Sequence, residues 1–393
     1  MSSTLTTDIA IIGGGIAGLW LNARLRQQGF NTLLVEQHQL GGGQSVCSQG
    51  IIHGGTKYAL HGALTGSSEA IADMPERWRK ALSGEGELDL RGVRLLSDAH
   101  YLWSPGSIAS NMTSFLASKA MRGRVDAVKG EQLPPALQDK GFKGRVYRLA
   151  ELVFDVPSLV KRLTELAGNS LLHSPKLSPL FDAQQQLIGL QAGEVRIQAQ
   201  RYILCAGEGT QDLLNQLHID KPQQQVRPLH MVLVKGAALK PIYAHCLGAG
   251  SKPRITITTH SAPDGDWVWY LGGNLAEADG VARDEAAQIN AAQRELRELM
   301  PWLEQTGLEW RCARINRAEP AQNNLVRPDT AFLAERGQVL VTWPTKLALA
   351  PDLADKVISS LTQQGIQPTA QPVSLALPQP SIALAPWEHL FNE

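Results

Sequence analysis

Several features that would place this chain in other protein classes are missing from it. Its four cysteines form no Cys-x-x-Cys pair, which argues against a disulfide framework or a zinc site and favours a reducing compartment. Lysine plus arginine and aspartate plus glutamate both number 37. The formal net charge is therefore zero, and no global field attracts the protein to nucleic acid. We predict neither a metal site nor a nucleic-acid partner.

Long apolar runs and a basic leader are also missing. No run approaches the roughly 18 apolar residues that a transmembrane helix needs. Residues 1–7 contain no basic region and no cleavage-type signal, so a cytoplasmic location is the expectation. With 393 residues and ordinary apolar and charged fractions of 43% and 19%, the chain is typical of a soluble enzyme with two or three domains.

The most informative segment that is present spans residues 8–36. An apolar strand leads into Gly13-x-Gly15-x-x-Gly18, a helix follows, and a second apolar strand ends at Glu36. The three glycines permit a tight turn, a close backbone approach to a pyrophosphate, and close packing of the helix on the strand. The helix N-terminus favours phosphate, and Glu36 is placed to bind ribose hydroxyls. The segment therefore predicts a dinucleotide-binding β-α-β unit.

Further along, strand-like and helix-like segments alternate between two kinds of sequence. The pattern predicts an α/β fold, in which a Rossmann-like domain is interleaved with an α+β domain built on a mixed or antiparallel sheet. The first domain comprises residues 1–90, 155–225 and 320–362, and the second comprises residues 91–154 and 226–319. We also predict helices near 70–82 and 108–121. Residues 363–393, rich in Pro and Gln, form a tail that either packs as an extended arm or stays mobile.

Several shorter motifs extend the resemblance to one family. They are Gly43–Gly50 leading into Ile52–Gly55, the strand end Ala206–Gly207, Leu271–Gly273, and Trp310–Arg314. In order and spacing, residues 6–362 resemble the FAD-dependent oxidoreductases that include D-amino-acid oxidase, glycine oxidase, sarcosine oxidase, glycerol-3-phosphate dehydrogenase and 2-hydroxyglutarate oxidase. The resemblance implies FAD as cofactor. It also implies oxidation of a C–H bond next to a hydroxyl or amine, by hydride transfer to flavin N5.

The resemblance further implies a set of cofactor contacts in the fingerprint, in the loop after the second strand, and at later strand ends. Glycines there let main-chain N–H groups reach phosphate, and short polar side chains reach ribityl hydroxyls. The alternative for residues 42–49 is a polar surface loop. The predicted contacts are Gly13, Gly15, Ile16, Ala17, Gly18, Glu36, Gln37, Gly42, Gly43, Gln44, Ser45, Ser48, Gln49, Leu177, Ala206, Gly207, Lys346 and Leu347.

Two predicted catalytic residues lie near the flavin in that family. The His53 segment is similar to one that approaches the flavin ring in glycerol-3-phosphate and hydroxyglutarate enzymes. An imidazole can remove a substrate proton or orient a hydroxyl, although His53 can equally be a packed side chain. Lys346 can stabilise an anionic reduced flavin, and its alternative is a solvated lysine at a helix start. Around Lys346 the sequence departs from the family's glycine-rich turn.

Arg314 is the third predicted catalytic residue. It matches the arginine that binds the substrate carboxylate in the amino-acid oxidase branch, a role suited to a planar bidentate donor. A structural salt bridge is the alternative, and Arg311 and Arg317 compete for the role. Lys57 and Arg254 are weaker candidates for binding an acidic substrate.

The substrate and partners stay open between alternatives. A small carboxylate substrate is expected, and the His53 segment favours a hydroxy acid over an amine. Electrons would pass to oxygen, a quinone or another acceptor, and a partner subunit or a homo-oligomer is possible. Three rival functions remain: an NAD-dependent dehydrogenase, a flavoprotein subunit of a larger dehydrogenase complex, and a non-catalytic nucleotide-binding protein. The absence of a second Gly-x-Gly-x-x-Gly argues against an added nicotinamide domain.

Overall fold

A computed structural model describes residues 3–54, 71–105, 125–248, 252–322, 330–369 and 377–392. Its N-terminal unit forms as the motif predicts. β1 (Ser3–Ile12) and β2 (Thr32–Glu36) are parallel neighbours joined by α1 (Ile16–Gln27). α1 is buried over most of its length, because α3 (Val156–Ala167) and α7 (Ala350–Gln363) pack against it.

The first large sheet extends this unit on both sides. Its other strands are β9 (Leu171–His173), β10 (Leu177–Phe181), β11 (Leu187–Ala192), β12 (Val195–Leu204), β18 (Phe332–Arg336) and β19 (Val339–Trp343). Strands β19, β12, β1, β2 and β9 run parallel in that order, while β18 and the β10–β11 hairpin add antiparallel pairs. The parallel strands therefore end at one edge, where open α/β sheets bind ligands.

The second large sheet is mixed. Its strands are β5 (His100–Ser104), β6 (Val125–Val128), β7 (Arg145–Leu149), β13 (Gln224–Lys235), β14 (Ala244–Cys246), β15 (Ile255–Ser261), β16 (Trp267–Gly272) and β17 (Glu309–Pro320). Their order is β17-β13-β16-β15-β14-β5-β7-β6, and only β14 and β5 pair in parallel. α6 (Glu285–Leu299) packs its Ala292 and Leu296 on one face of this sheet. Met231 and Tyr270 on the other face join the core of the first sheet.

A small sheet connects the two large ones. It consists of β3 (Ile51–Ile52), β8 (Leu152–Phe154) and β4 (Leu95–Ser97), with β8 in the middle. The remaining helices of the described ranges are α2 (Met74–Ser83), α4 (Thr210–Gln216), α5 (Asp279–Ala282) and α8 (Pro386–His389). The same ranges contain 3-10 turns at Gly130–Gln132, Pro135–Leu137, Gly168–Ser170, Gly207–Gly209, Gly273–Ala276 and Leu347–Leu349.

The predicted fold class is confirmed: an α/β nucleotide-binding fold is interleaved with a domain on a mixed sheet. The first large sheet takes its strands from 3–36, 171–204 and 332–343, and the second from 100–149 and 224–320. The exact domain boundaries stay predictions. The helix expected near 70–82 corresponds to α2, whereas the one expected at 108–121 lies outside the described residues.

The end of the chain packs as an arm over both large sheets. In this C-terminal arm (residues 377–392), Ile382 forms a parallel bridge with Leu40. The Leu40 N–H donates to the Ser381 carbonyl at 2.8 Å, and the Ala383 N–H donates to the Leu40 carbonyl at 3.0 Å. α8 then buries Trp387, whose ring stacks on His260 with centroids 3.5 Å apart and planes at 13°. Of the two alternatives for the tail, residues 377–392 adopt the arm.

We expect Trp387→Ala to lower the free energy of unfolding by about 3–5 kcal/mol, because truncating a buried tryptophan leaves a cavity. Trp387 is only 2% exposed. Leu384→Ala is the matched control in the same arm, since Leu384 is 59% exposed and should cost no more than about 0.5 kcal/mol. Equal urea midpoints for the two variants would show that the arm does not pack in solution.

Candidate active site between the two large sheets

Two of the three fingerprint glycines allow close packing of the backbone, and the third leaves open space before α1. Gly13 has a φ of +109°, and a Cβ there would lie 2.5 Å from the Cys205 carbonyl oxygen. A Cβ at Gly18 would lie 1.9 Å from the Gly13 carbonyl oxygen, so only glycine lets α1 approach β1 this closely. A Cβ at Gly15 would meet only the Ser45 hydroxyl, at 3.2 Å. The space before the α1 N-terminus is thus open to a phosphate group.

The polar groups around that space fit a dinucleotide. Glu36 accepts the Gly14 N–H at 2.6 Å and the His38 N–H at 2.8 Å, which fixes its carboxylate at the end of β2. The Ser45 hydroxyl accepts the Ile16 N–H at 2.9 Å, at the start of α1. The buried Ser48 hydroxyl has no hydrogen-bond partner within the described chain. A buried polar atom without a partner is costly, so Ser48 suits a ligand that would bond to it.

In the loop of residues 42–49, which we call the cofactor loop, the side chains predicted to contact FAD face two different parts of the fold. The Gln44 side-chain oxygen accepts the Ala318 N–H of β17 at 3.2 Å. The Gln49 amide donates to the Tyr270 carbonyl at 2.9 Å and to the Thr256 carbonyl at 3.3 Å. Both amides therefore bind the second large sheet and hold the loop against it. Between them, the hydroxyl of Ser45 faces the fingerprint instead.

The other predicted cofactor positions are distributed around the ends of the parallel strands. Ala206 and Gly207 follow β12, and the Ala206 Cα lies 2.7 Å from the Cβ position of Gly13. Leu177 is buried in the core below the sheet. Ile16 and Ala17 form the buried first turn of α1, Gln37 follows Glu36, and Gly42 and Gly43 lie in the turn before Gln44. Their contacts with the cofactor stay predictions.

Lys346 is buried, with 4% of its surface exposed. This burial excludes the alternative of a solvated lysine at a helix start. Lys346 precedes the turn Leu347–Leu349, which packs against β3, the strand that leads to His53. Trp78 fixes the same turn by donating its indole N–H to the Ala348 carbonyl at 3.0 Å. The structure thus brings the Lys346 and His53 segments together.

His53 belongs to a compact polar group that we call the histidine cluster: His53, His100, His245 and Glu151. Nδ1 of His53 lies 3.3 Å from Oε2 of Glu151, and the Gly54 N–H donates to Oε1 at 2.9 Å. The His53 and His245 rings stack with centroids 5.8 Å apart and planes at 14°. The His100 ring meets His245 edge-on at 4.3 Å.

Glu151 carries a negative charge within this cluster. Burial alone raises the pKa of its carboxyl group. The hydrogen bond and charge of His53, the charge of His100 and the Gly54 N–H outweigh burial and lower the pKa below its ordinary value. Among the described residues, no three histidine, cysteine or acidic side chains are arranged to hold a metal ion. Three imidazoles beside one carboxylate are suited to moving or orienting protons.

The second sheet continues the polar surface beside the cluster. Along β15, Ile255 and Ile257 enter the core under α6, so the alternating residues Thr256, Thr258 and His260 face the nucleotide-binding domain. All three are buried. Nδ1 of His245 lies 2.7 Å from the Thr256 hydroxyl, and Nε2 of His260 lies 3.0 Å from the Thr258 hydroxyl. A buried polar face between two domains is a candidate substrate chamber.

The structure does not bring Arg314 to this chamber. On β17, Ala313 and Ile315 face the nucleotide-binding domain, whereas Cys312 packs in the core on the opposite face. Arg314 shares the Cys312 face and donates to the Val281 and Arg283 carbonyls at 2.9 and 2.7 Å. Its carboxylate-binding role stays a prediction, and these contacts give it no support.

The competing cations have other partners. The Arg311 guanidinium donates to the Leu390 carbonyl at 3.1 Å and lies 5.6 Å from the Phe391 ring centroid. Arg317 pairs with Glu277 at 3.3 Å, and Arg254 pairs with Glu295 at 2.8 Å. Gly55 and Lys57 lie outside the described residues.

Sequence reasoning missed Glu151, His100 and His245. The available signal concerned only the polar face beside His245, because Thr256, Thr258 and His260 lie at every second position of β15. Such a pattern ordinarily marks a solvent-facing strand. Only the packing of the two domains shows that this polar face is buried.

Comparison with known proteins identifies the family. The model of the FAD dependent oxidoreductase family matches residues 8–350. The chain belongs to this family. It is an FAD-dependent oxidoreductase, and its cofactor is FAD. Over 391 residues it is 63% identical to the probable FAD-dependent oxidoreductase PA4991 of Pseudomonas aeruginosa, and the match covers 100% of both chains.

Solved structures agree on the fold. The crystal structure of the P. aeruginosa protein superposes with a TM-score of 0.89 at 57% identity, covering 100% of both chains. Glycine oxidase from Geobacillus kaustophilus gives a TM-score of 0.65 at 14% identity and 98% coverage of both chains. L-α-Glycerophosphate oxidase from Mycoplasma pneumoniae gives 0.64 at 14% identity, covering 91% of this chain and 95% of that one.

No helix in the described ranges is long and apolar enough to cross a bilayer.

Gly15→Ala tests the cradle for FAD. We expect a folded protein whose FAD affinity falls about tenfold or more, because a methyl group would fill the space before the α1 N-terminus and hold the phosphate off. Gly209→Ala is the control, since its nearest neighbour would be the Ala206 Cβ at 3.8 Å. Fluorescence titration of apoprotein with FAD measures the effect, and equal affinities would contradict the assignment.

His260→Phe tests the burial of the polar face. Burial, aided by the charge of Arg94, lowers the pKa of His260 to about 3, whereas an unfolded histidine titrates near pH 6.5. The unfolded state therefore binds the proton first, and stability is lost as the pH falls from about 6.5 to about 3. In His260→Phe, the free energy of unfolding should fall less steeply with decreasing pH, by up to about 1.4 kcal/mol per pH unit. Urea unfolding between pH 7 and pH 4 measures it, and an unchanged slope would mean that His260 is accessible to protons.

Proposed function

We propose that this FAD-dependent oxidoreductase oxidises a small anionic hydroxy acid at the C–H bond next to its hydroxyl, with His53 accepting the hydroxyl proton. The observation that carries the proposal is the anchored imidazole of His53, bound to Glu151 on one side and stacked on His245. When hydride leaves the carbon of an alcohol, the hydroxyl proton must also leave. A neutral amine already offers a lone pair, so a fixed base favours a hydroxyl substrate.

The surroundings of His53 support its role. Its side chain is 24% exposed, whereas that of Glu151 is 3% exposed, so the imidazole lies at the edge of the buried cluster. The main chain that leads to His53 is held by the small sheet, where β3 pairs with β8, and by the turn Leu347–Leu349, which packs against β3. A base must be held within hydrogen-bond reach of the proton that it removes. These contacts provide the fixed position that this role needs.

Each part of the chain has a distinct task in this proposal. The fingerprint, Glu36, Ser45 and Ser48 would hold the cofactor. FAD, when bound, supplies the two-electron acceptor. His53 would take the hydroxyl proton at Nε2, and His245 and Thr256 would line the chamber beside it. The buried ammonium of Lys346 would favour negative charge near the same place, on the substrate or on the reduced cofactor. The acceptor that reoxidises the protein remains a choice between oxygen, a quinone and a partner subunit.

An anaerobic titration of the purified yellow protein tests the substrate class. We expect one or more 2-hydroxy acids or glycerol 3-phosphate to bleach the flavin absorbance, while D- and L-amino acids and secondary amines leave it unchanged. Bleaching by amines alone would contradict the proposal. Admitting air or a soluble quinone afterwards identifies the acceptor by the return of the yellow colour.

His53→Gln tests the base. The rate constant for flavin reduction should fall about 10²- to 10⁴-fold, the usual contribution of general base catalysis, while FAD content stays unchanged. His218→Asn is the control, because His218 is exposed at the end of α4 and outside the chamber. Stopped-flow reduction under anaerobic conditions measures both variants. A wild-type rate in His53→Gln would remove His53 from the chemistry.

A further inference from the structure

We infer that Glu151 is a positioning residue that fixes the tautomer and orientation of His53. This inference rests on the proposed function, because it assigns a role to Glu151 through the base. Glu151 lies outside every short motif on which the sequence resemblance rests.

The pairing of two short strands places Glu151 opposite His53. β3 and β8 are antiparallel, with Ile51 opposite Val153 and Ile52 opposite Leu152. One more step along this register brings His53 opposite Glu151. Side chains at directly opposed antiparallel positions lie on the same face of the sheet. Both residues therefore point into the space between the small sheet and β14, where His245 stacks on the His53 ring.

The two carboxylate oxygens have different partners. Oε1 accepts the Gly54 N–H at 2.9 Å, which ties the carboxylate to the residue after the base. Oε2 lies 3.3 Å from Nδ1 of His53. Because an ionised carboxylate only accepts hydrogen bonds, Nδ1 must carry the proton. In the neutral imidazole, Nε2 is then the nitrogen with a free lone pair, as a base requires.

A purely structural carboxylate is the competing explanation. Glu151 also joins β3 to β8 through Gly54, so its loss can disturb the corner that carries His53. Burying an ion is costly unless its partners compensate. This cost is the same whether Glu151 braces the corner or positions His53, so it does not distinguish the two roles. The distinguishing property is the tautomer, because a structural brace has no need to specify which imidazole nitrogen is protonated.

Glu151→Gln separates the two explanations. The Gly54 N–H still donates to the oxygen of the new side-chain amide. The NH₂ group therefore faces Nδ1 of His53 and donates to it. The imidazole then carries its proton on Nε2 and cannot act as a base there. We expect flavin reduction to slow about 10²- to 10³-fold, with FAD content and the substrate dissociation constant unchanged.

A double-mutant cycle with His53→Gln supplies the second readout. If Glu151 acts through His53, Glu151→Gln should change the reduction rate less than twofold once His53 is already replaced. An equal loss in both backgrounds would overturn the inference in favour of a structural role, as would a wild-type rate in Glu151→Gln alone. Glu295→Gln is the matched control, because it removes a half-buried carboxylate that pairs with Arg254 at a distance from the chamber.

The tautomer of the wild-type holoenzyme gives a test that needs no variant to fold. Nitrogen-15 NMR with labelled histidine should show His53 protonated on Nδ1 when the ring is neutral, and the His53→Gln spectrum assigns the signal. Protonation on Nε2 would overturn the inference. This result is independent of the proposed function. If His53→Gln reduces flavin at the wild-type rate, the proposed base fails, while the NMR result still decides whether Glu151 orients the ring.

Discussion

The burial of a polar face between two sheets is the constraint on which the rest of the structure depends. His245, Thr256, Thr258 and His260 lie on the face of the second sheet that meets the nucleotide-binding domain, and all are buried. Such groups are stable there only when they have hydrogen-bond partners. The cofactor loop provides one of these partners, since the Gln49 amide donates to the Thr258 hydroxyl at 3.4 Å. The same loop therefore closes the chamber and leads to His53.

The C-terminal arm completes the enclosure from the other side. Its main chain forms hydrogen bonds with Leu40, immediately before the loop that carries Ser45. Further along the arm, the Trp387 ring stacks on His260. Phe391 then lies between the cations of Lys235 and Arg311, with ring centroid distances of 5.7 and 5.6 Å. One short segment thus contacts both the residue that precedes the cofactor loop and the polar face. Its position links the geometry of the two halves of the candidate site.

The sequence was sufficient for the parts of the fold that rest on local constraints. Gly18 and Glu36 have roles set by neighbouring backbone within one β-α-β unit, so spacing alone predicts them. Arg314 shows where this reasoning fails, because the face to which a strand residue points depends on register and on the packing of the sheet. Glu151 and His53 are 98 positions apart and meet through the pairing of two very short strands. No local pattern predicts that pairing, and the arm's path over both sheets is likewise decided by tertiary contacts.

A crystal structure of the FAD-loaded protein with an unreactive 2-oxo acid would test the central claim most directly. The account predicts that the ligand lies between the flavin and the polar face of β14 and β15. Its oxo oxygen should accept a hydrogen bond from Nε2 of His53, which is protonated in this product-like complex as it is after taking the hydroxyl proton. It also predicts that Nδ1 stays on Glu151. A ligand bound elsewhere, or a His53 ring turned away from both the ligand and Glu151, would contradict it.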